Sequence, residues 1–498
     1  MNDRTVPPIS AAAAEFLGRA HKPFINGRFV DPGTDTLLPV DDSATGEIVA
    51  RVPESGPALV DDAVKAARAA LNGPWSTMSP SERQRILLKL ADAVDADGEL
   101  LAEIESIEQG KNLMVAKMLA AGGAAEWLRY YAGWATKIEG STFGVSIPVP
   151  PGAKHQAMTL MEPVGVIGAI VPWNFPLILM AFKLPPALLA GNTVVLKPAP
   201  TTPLTSLKLG ELIKDILPAG VLTIITDAND LGAALTAHPD VRKISFTGST
   251  EVGKRVGHAA IDRVARFTLE LGSKSPMILM ADMEEGIEPL LAGLGMFFNG
   301  GQVCTSAARL LIQKSVYDKT LEKLGAIADS MSMGAGRDLD AQINPLVSAR
   351  HKNSVDGFVE RALAAGGERV SGNRAIPSAG HYVAPTILSN VRSDMEIVRE
   401  EVFGPVVAAQ PFTDLDEAIA IANDTRYGLS ASIWTSDMGT SWRAAHGLKA
   451  GTVWINSHNT VDPNAPFGGF KQSGIGREHG RAALDAYLEM KTVIMRYA

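Results

Sequence analysis

Residues 164–198 read VGVIGAIVPWNFPLILMAFKLPPALLAGNTVVLKP, and this stretch decides the fold class. Apolar, β-rich runs at Val164–Val171 and Thr193–Leu196 flank a helix-like segment at Pro176–Leu189. Short apolar strands that alternate with helices indicate a parallel sheet covered by helices on both faces. The sequence therefore predicts an α/β fold that binds its ligand beyond the carboxyl ends of the strands.

The same alternation continues on both sides of this stretch. Further strands are predicted at Leu222–Thr226 and Ile244–Thr247 and, in a second series, near Met277–Met280, Ala307–Gln313, Val406–Phe412 and Ala431–Trp434, with a last strand at Thr492–Tyr497. Further helices are predicted at Ala63–Leu71, Arg83–Val94, Val115–Ala135, Leu204–Ile216 and Leu231–Ala237. Two strand–helix series in one chain predict two parallel sheets.

Composition restricts the class of protein. The chain has 498 residues, 46% of them hydrophobic, and a formal net charge of -8. An acidic chain argues against a nucleic-acid partner, which needs a basic face. No apolar run reaches the ~18 residues of a membrane span, and the first residues lack the apolar core of a secretory signal. A single cysteine fits a reducing cytoplasm, and no cysteine–histidine spacing indicates a metal site.

That single cysteine, Cys304, follows the irregular segment Asn299-Gly300-Gly301-Gln302-Val303. A lone thiol cannot form an internal disulfide. Most free cysteines are small buried hydrophobes. Two glycines and an amide before the thiol instead suggest a backbone that passes close to a ligand. Both interpretations, packing and chemistry, stay open on this residue alone.

Two strand ends carry groups that suit a nucleotide. Gly248-Ser249 leads from a strand into a helix, whose N-terminal N–H groups suit a phosphate, although such a turn is more often only a helix cap. Lys197 ends the strand of residues 193–196 and could reach a ribose or phosphate oxygen. The alternative for Lys197 is a solvated lysine.

Three polar residues are candidates for acid–base and oxyanion chemistry. Glu270 lies between two leucines, where burial would raise its pKa toward that of a general base, or it pairs with Lys274. Asn174, stiffened by flanking prolines, could donate to an oxyanion or cap the next helix. Lys183 lies among apolar residues and either tunes a nearby acid or extends to water.

A further motif is Glu401-Val402-Phe403. Side chains two apart on an extended segment project the same way. Glu401 and Phe403 could therefore bind a ribose and cover a flat ring; the alternative is a surface acid beside a core phenylalanine. Residues 466–478 are too rich in glycine for a regular element and predict a long shaped loop.

Together these motifs resemble the aldehyde dehydrogenase superfamily, from about Phe24 to Thr492. The resemblance rests on the following segments in order: Pro172-Trp173-Asn174-Phe175-Pro176, Lys197-Pro198, Phe246-Thr247-Gly248-Ser249-Thr250, Glu270-Leu271-Gly272, Gly301-Gln302-Val303-Cys304, Glu401-Val402-Phe403-Gly404-Pro405 and Pro466-Phe467-Gly468-Gly469. It implies two Rossmann-like parallel-sheet domains plus a small β oligomerisation arm. The implied division is a leader at 1–20, a cofactor-binding domain at 21–139 and 160–271, a catalytic domain at 272–466 with 467–484 returning to the cofactor domain, and an arm at 140–159 and 485–498.

The resemblance also implies roles for single residues. Cys304 would add to an aldehyde, Asn174 and the backbone N–H of Cys304 would hold the oxyanion, and Glu270 would activate the hydrolytic water. Lys183 matches a family lysine near the catalytic acid. The implied cofactor is NAD, with NADP possible, and no metal is implied. Positions that match the family's cofactor contacts are Val171, Pro172, Trp173, Lys197, Gly248, Ser249, Leu271, Glu401 and Phe403.

Three departures from the family pattern concern the cofactor site and its surroundings. Pro200 stands where many NAD-using members carry a glutamate that binds the adenosine ribose, so the choice between NAD and NADP stays open. Residues 227–230, Asp-Ala-Asn-Asp, replace a glycine-rich turn. Ser273 replaces the second glycine of Glu-Leu-Gly-Gly and leaves Glu270 in place.

The resemblance implies a substrate tunnel with mostly apolar walls. Its matching positions are Gly123, Trp127, Phe175, Leu179, Phe298, Val303, Thr305, Val461 and Phe467. We find no arginine to hold a carboxylate, so an apolar, aromatic or medium-chain aldehyde is expected. The alternatives are a coenzyme-A-acylating semialdehyde dehydrogenase, which the presence of Glu270 disfavours, and a non-catalytic NAD-binding scaffold protein. An exposed terminal strand, together with the resemblance, predicts a homo-oligomer, either dimer or tetramer.

Overall fold

The computed structural model describes residues 6–228 and 231–497. Part of the predicted leader (1–5), Asn229 and Asp230 of the turn at 227–230, and the last residue of the predicted arm, Ala498, lie outside the described residues. The described helices include none that is long and apolar enough to cross a membrane.

The elements follow one another in mixed order. The strands are β1 Phe24–Ile25, β2 Arg28–Phe29, β3 Leu37–Asp41, β4 Ile48–Pro53, β5 Thr142–Gly144, β6 His155–Pro163, β7 Val166–Ile170, β8 Thr193–Lys197, β9 Leu222–Ile224, β10 Val241–Thr247, β11 Arg266–Glu270, β12 Pro276–Leu279, β13 Arg309–Gln313, β14 Glu368–Arg369, β15 Thr386–Ser389, β16 Val406–Phe412, β17 Ser430–Trp434, β18 Thr452–Ile455, β19 Gly474–Ile475 and β20 Leu488–Arg496. The α-helices are α1 Ala11–Leu17, α2 Pro57–Ala70, α3 Pro74–Thr77, α4 Pro80–Ala96, α5 Gly98–Gln109, α6 Leu113–Val115, α7 Gly123–Ala132, α8 Pro176–Leu189, α9 Leu204–Ile213, α10 Leu231–Ala237, α11 Thr250–Ile261, α12 Glu288–Leu290, α13 Tyr317–Ser330, α14 Ala349–Ala364, α15 Glu396–Arg399, α16 Leu415–Asn423, α17 Met438–Gly447 and α18 Gly480–Asp485.

The first sheet has the strand order β19-β11-β10-β7-β8-β9-β1-β2. Strands β11, β10, β7, β8 and β9 run parallel, and β19, β1 and β2 join at the two edges in antiparallel pairs. Because successive side chains of a strand point to opposite faces, Ile167 of β7 packs in one apolar cluster and Val166 in another. Burial on both faces explains the unbroken apolar runs that the sequence shows.

The second sheet has the order β14-β15-β16-β13-β12-β17-β18, and all its neighbours are parallel except β14 and β15. A third, antiparallel sheet has the order β20-β6-β5. Strand β20 occupies one edge of this third sheet. Two parallel sheets and a small antiparallel sheet confirm the predicted α/β fold class; the domain boundaries stay a prediction.

One predicted element differs in detail. The region predicted as one helix at Val115–Ala135 contains a π-helical segment, Ala116–Gly122, between α6 and α7. A wider π-helical turn shifts the register of the side chains that follow, and such segments are frequent at functional sites. Gly123, the first residue of α7, follows this segment directly. The terminal strand is also longer than predicted, because β20 pairs with β6 from Leu488 to Arg496.

Candidate active site

A cavity of about 620 Å³ lies at the carboxyl ends of the first sheet's strands, where residues of the second βα series close it. The predicted site residues that line it are Gly123, Trp127, Pro172, Trp173, Asn174, Phe175, Leu179, Gly248, Ser249, Glu270, Leu271, Phe298, Val303, Cys304, Thr305, Glu401, Phe403, Val461 and Phe467. The structure thus gathers residues from position 123 to position 467 around one space.

The loop before Cys304 brings the thiol into this cavity. Asn299, Gly300 and Gly301 have φ angles of 51°, 63° and 69°, a left-handed conformation that favours glycine. A Cβ at Gly301 would lie 2.1 Å from the carbonyl oxygen of Gly404, so no larger residue fits there. The irregular backbone expected from the glycines is therefore present, and it places Cys304 on the cavity wall.

Asn174 is fixed beside the same loop. Its Nδ2 donates to the carbonyl of Gln302 at 3.0 Å, and its own carbonyl accepts from Nδ2 of Asn299 at 3.2 Å. A side-chain amide nitrogen has two hydrogens, so one remains for another acceptor. The alternative role, capping the next helix, does not apply, because Phe175 occupies the N-cap of α8 and the Asn174 Nδ2 bond goes to the loop.

Glu270 ends β11 and is 5% exposed. Neither carboxylate oxygen has a hydrogen-bond partner among residues 6–228 and 231–497. Burial raises the pKa of Glu270 well above its ordinary value, and the nearby Glu478 carboxylate raises it further. Pairing with Lys274 is not seen, since Nζ of Lys274 likewise has no partner in the described chain. The carboxyl group therefore lines the cavity without a hydrogen-bond partner in the described chain.

Lys183 forms a buried ion pair with Glu478, and the two side chains are 1% and 6% exposed. The expectation that Lys183 extends to water is therefore wrong; the cation lies inside the protein and acts to lower the pKa of Glu270. Sequence reasoning missed Glu478. Glu478 is the last residue of the glycine-rich loop 466–478 that the sequence predicted, and this was the one indication of its position. Its backbone pairs with that of Phe467 through two hydrogen bonds of 2.7 Å.

The thiol of Cys304 is protonated at neutral pH in this state. Enclosure raises its pKa to about 12, and the carboxylates of Glu401 and Glu270 add to the effect. Only the thiolate is a good nucleophile. The site therefore needs a proton acceptor close to the sulfur, and Glu270 lines the same cavity.

The other end of the cavity has the features of a nucleotide site. The rings of Trp173 and Phe403 stand perpendicular with centroids 5.2 Å apart. Oε1 of Glu401 accepts from the N–H of Ser273 at 2.7 Å, and burial raises the pKa of Glu401 to about 7. Ser249 caps α11, with Oγ accepting from the N–H of Val252. A helix N-terminus, a carboxylate and flat rings fit a dinucleotide.

Two details at this end differ from expectation. Phe403 has a φ of 58°, so Glu401 and Phe403 face the cavity from an irregular segment and not from an extended strand. Sequence reasoning also missed His351, whose ring lies 4.9 Å from that of Trp173 and whose Nε2–H donates to the Phe403 carbonyl at 2.8 Å. His351 stands on α14, and no local motif marks it.

The described lining residues do not include three predicted ones, Val171, Lys183 and Lys197. Lys197 is 3% exposed and its Nζ lies 2.7 Å from Oδ1 of Asp227. The expectation of a solvated lysine is thus wrong for Lys197. Its contact with a cofactor, and that of Val171, stay predictions.

The substrate end is walled by rings. Trp127 and Phe182 have centroids 5.2 Å apart, and the fully buried His479 packs edge-on against Phe182 at 4.2 Å. Burial lowers the pKa of His479 to about 3, so the imidazole is neutral. Thr305 is hydrogen-bonded to Asn459 at 2.5 Å. Phe182, His479 and Asn459 were not predicted from the sequence.

No group of three or more histidine, cysteine, aspartate or glutamate side chains in the described ranges could hold a metal ion. The chemistry on offer is a thiol, an amide donor, an unpaired buried carboxyl group and a place for a dinucleotide.

Comparison with known proteins gives a consistent assignment. Residues 29–493 match the model of the aldehyde dehydrogenase family. The chain is 44% identical to a phenylacetaldehyde dehydrogenase of Pseudomonas fluorescens over 98% of both chains, and 40% identical to human retinal dehydrogenase 2 over 95% of this chain and 92% of that protein.

Solved structures agree with the sequence relatives. The NAD+ complex of an aldehyde dehydrogenase from Bacillus cereus is similar with a TM-score of 0.95 and 38% identity, over 99% of this chain and 100% of that one. The chain belongs to the aldehyde dehydrogenase family and is an NAD(P)-dependent aldehyde dehydrogenase.

Proposed function

We propose that this enzyme oxidises an apolar aldehyde, aromatic or of medium chain length, to the carboxylic acid through a covalent adduct on Cys304. The observation that supports this most directly is the shared cavity. A thiol, an unpaired buried carboxyl group and an amide donor meet there between apolar walls.

In the proposed reaction, Glu270 takes the thiol proton and the sulfur of Cys304 adds to the aldehyde carbon. The carbonyl oxygen becomes an oxyanion, which accepts from Nδ2 of Asn174 and from the backbone N–H of Cys304. Preorganised donors of this kind stabilise the charge as it forms. NAD(P), which Trp173, Glu401 and Phe403 would hold at the other end of the cavity, would supply the acceptor for the hydride of this carbon. Loss of the hydride leaves a thioester on Cys304.

Hydrolysis of the thioester completes the proposed cycle. Once Glu270 has released the thiol proton to solvent, it removes a proton from a water molecule, whose oxygen adds to the thioester carbon and releases the Cys304 sulfur as thiolate. The proton on Glu270 then returns to this sulfur. A carboxyl group with a raised pKa suits this task near neutral pH. Lys183 and Glu478 hold opposite charges close to Glu270.

The wall chemistry supports an apolar substrate. The described residues that line the cavity include no lysine or arginine, but they include the acids Glu270, Glu401 and Glu478. A substrate with its own carboxylate would find no lysine or arginine to pair with there, and the acids disfavour it. A relative that is 44% identical carries the name phenylacetaldehyde dehydrogenase, which is consistent with an aromatic aldehyde.

Two variants test the proposal. Cys304→Ser should lose aldehyde-dependent cofactor reduction, because the hydroxyl is a far weaker nucleophile. Glu270→Gln should lose turnover, and at alkaline pH, where part of the thiol ionises without Glu270, it should accumulate the substrate's acyl group on Cys304, visible by intact mass. Retained turnover by Cys304→Ser would refute the covalent route. Preference for succinic semialdehyde over phenylacetaldehyde and hexanal in kcat/KM would refute the substrate class.

The product of the reaction distinguishes the proposed hydrolysis from acyl transfer to coenzyme A and from a non-catalytic role. Free acid supports the proposal, an acyl-CoA product supports acyl transfer, and cofactor binding without turnover supports a scaffold. The unpaired Glu270 favours hydrolysis, because it provides the base that water needs.

We also infer a homo-oligomer, dimer or tetramer, assembled through the arm. Strand β20 lies at the edge of its sheet and exposes Met490, Ile494 and Met495 at 66%, 60% and 50%. An exposed apolar edge strand invites pairing with another chain.

A further inference from the structure

Two opposite charges meet where the neighbouring parallel strands β8 and β9 end. Lys197 is the last residue of β8, and Asp227 is the third residue after the end of β9. Nζ of Lys197 lies 2.7 Å from Oδ1 of Asp227, and the residues are 3% and 1% exposed. A pair this well covered is weakly screened by salt, so its charges act strongly on whatever binds beside it.

Asp227 is held in a fixed orientation. Its Oδ2 accepts from the N–H of Leu231 at the start of α10, at 2.6 Å. The Lys197 stem packs on the same turn, since a Cβ at Gly232 would lie 3.7 Å from Cε of Lys197. The acid thus has two fixed partners, a cation and a helix N-terminus.

The pair lies along the line that a dinucleotide would follow. In the first sheet the order is β11, β10, β7, β8, β9. The cavity with Cys304 takes its sheet residues from the ends of β11, β10 and β7. A dinucleotide whose reactive ring lies near Cys304 and which follows this edge has its other half above β8 and β9.

We propose that Asp227 makes this enzyme select NAD over NADP by neutralising Lys197. At such strand ends an acid suits the ribose 2′-hydroxyl, whereas a cation accommodates a 2′-phosphate. Pro200 supplies no acid three residues after Lys197. Without Asp227 the strand end would carry one uncompensated positive charge, which attracts the extra phosphate of NADP.

The test is equilibrium binding of NAD and of NADP without aldehyde, followed by quenching of tryptophan fluorescence. Asp227→Asn removes the charge, and its amide oxygen can still accept from Leu231. The ratio of the NADP Kd to the NAD Kd should fall about tenfold. Added salt should leave most of this gain in place, because the buried strand end is only weakly screened by salt.

A second variant identifies the route. Asp227→Asn combined with Lys197→Met should return the ratio toward that of the parent, because the freed cation is then absent. An unchanged ratio in folded Asp227→Asn would overturn the proposal and leave the pair a structural role. If Asp227→Asn does not fold, Lys197→Met is measured by itself. The ratio of the NADP Kd to the NAD Kd should then rise, because Asp227 is left as an uncompensated negative charge. A ratio that does not rise would overturn the proposal.

This test is independent of the proposed chemistry on Cys304. It uses no aldehyde and no turnover, so a wrong substrate class or a wrong nucleophile leaves its outcome unchanged. Conversely, loss of activity in Cys304→Ser says nothing about the cofactor preference, which the binding measurements decide by themselves.

Discussion

The ammonium group of Lys183 forms a buried ion pair with the carboxylate of Glu478, 295 residues later in the chain. Glu270 lies close enough to feel both charges, which act on its pKa in opposite directions. The proposed general base, Glu270, is therefore tuned by a pair that no local motif contains.

Lys183→Met should move the acid limb of the kcat–pH profile to higher pH. Lys183 lowers the pKa of Glu270, so its removal raises that pKa further, and the ionised base appears only at higher pH. At pH 7 we expect kcat to fall about tenfold or more. Lys183→Arg keeps the cation and serves as control. A Lys183→Met profile that overlays the parent profile would remove Lys183 from this role.

Glu270→Gln should stabilise the fold while it abolishes hydrolysis. The pKa of Glu270 is raised in the folded protein, so the folded state favours the protonated form and loses stability as pH rises toward that pKa. The gain in melting temperature from glutamine should thus be small at pH 5 and grow toward pH 9. Glu322→Gln, at an exposed position on α13, is the matched control. A gain that does not grow with pH would contradict this account.

Alkylation of Cys304 by iodoacetamide in the cofactor-free enzyme should accelerate steadily with pH. Below a pKa of about 12, the thiolate fraction rises about tenfold per pH unit. The chain has one cysteine, so intact mass reports this site alone. A short unstructured peptide with one cysteine, whose rate levels off near the ordinary thiol pKa of about 8.5, provides the comparison. A plateau below pH 9 in the protein would show that the thiol is more acidic than its enclosure indicates.

Gly123→Leu should discriminate against bulky aldehydes. Gly123 lines the cavity, and a Cβ there would already lie 3.1 Å from Cδ1 of Ile178, so a larger side chain must extend into the tunnel. We expect kcat/KM for phenylacetaldehyde to fall about tenfold or more relative to acetaldehyde. Gly122→Leu, one residue earlier, is the control. Equal losses for both aldehydes would indicate general damage to the fold.

Met490→Glu combined with Ile494→Glu should shift the protein toward monomer in size-exclusion chromatography with light scattering. Both side chains are exposed on β20, and charges on an edge strand oppose pairing. Leu339→Glu, at an exposed apolar position away from the arm, is the control. An unchanged mass would place the subunit contact elsewhere on the protein.

Strands that are buried on both faces were predictable, because a short unbroken run of apolar and β-branched residues is typical of a buried parallel strand. Residues 193–196 are apolar or β-branched without interruption, and β8 and β16 appear where the sequence predicted them. The arm strands β6 and β20 expose one face, so their pattern is weaker, and β6 was missed. The π-helical segment before Gly123 was missed as well, because its sequence is that of an ordinary helix.

The sequence by itself determined the family, the reaction class and the identity of the residues around Cys304. This was possible because the motifs occur in the family's order and contain the residue types that the chemistry requires. Only the tertiary structure decided which charges meet. Lys183 forms an ion pair with Glu478 and Lys197 with Asp227, whereas the carboxyl group of Glu270 has no hydrogen-bond partner in the described chain. The physical reason is that pairing depends on distance in space and on burial. The local sequence around two residues that are 295 positions apart indicates neither of them.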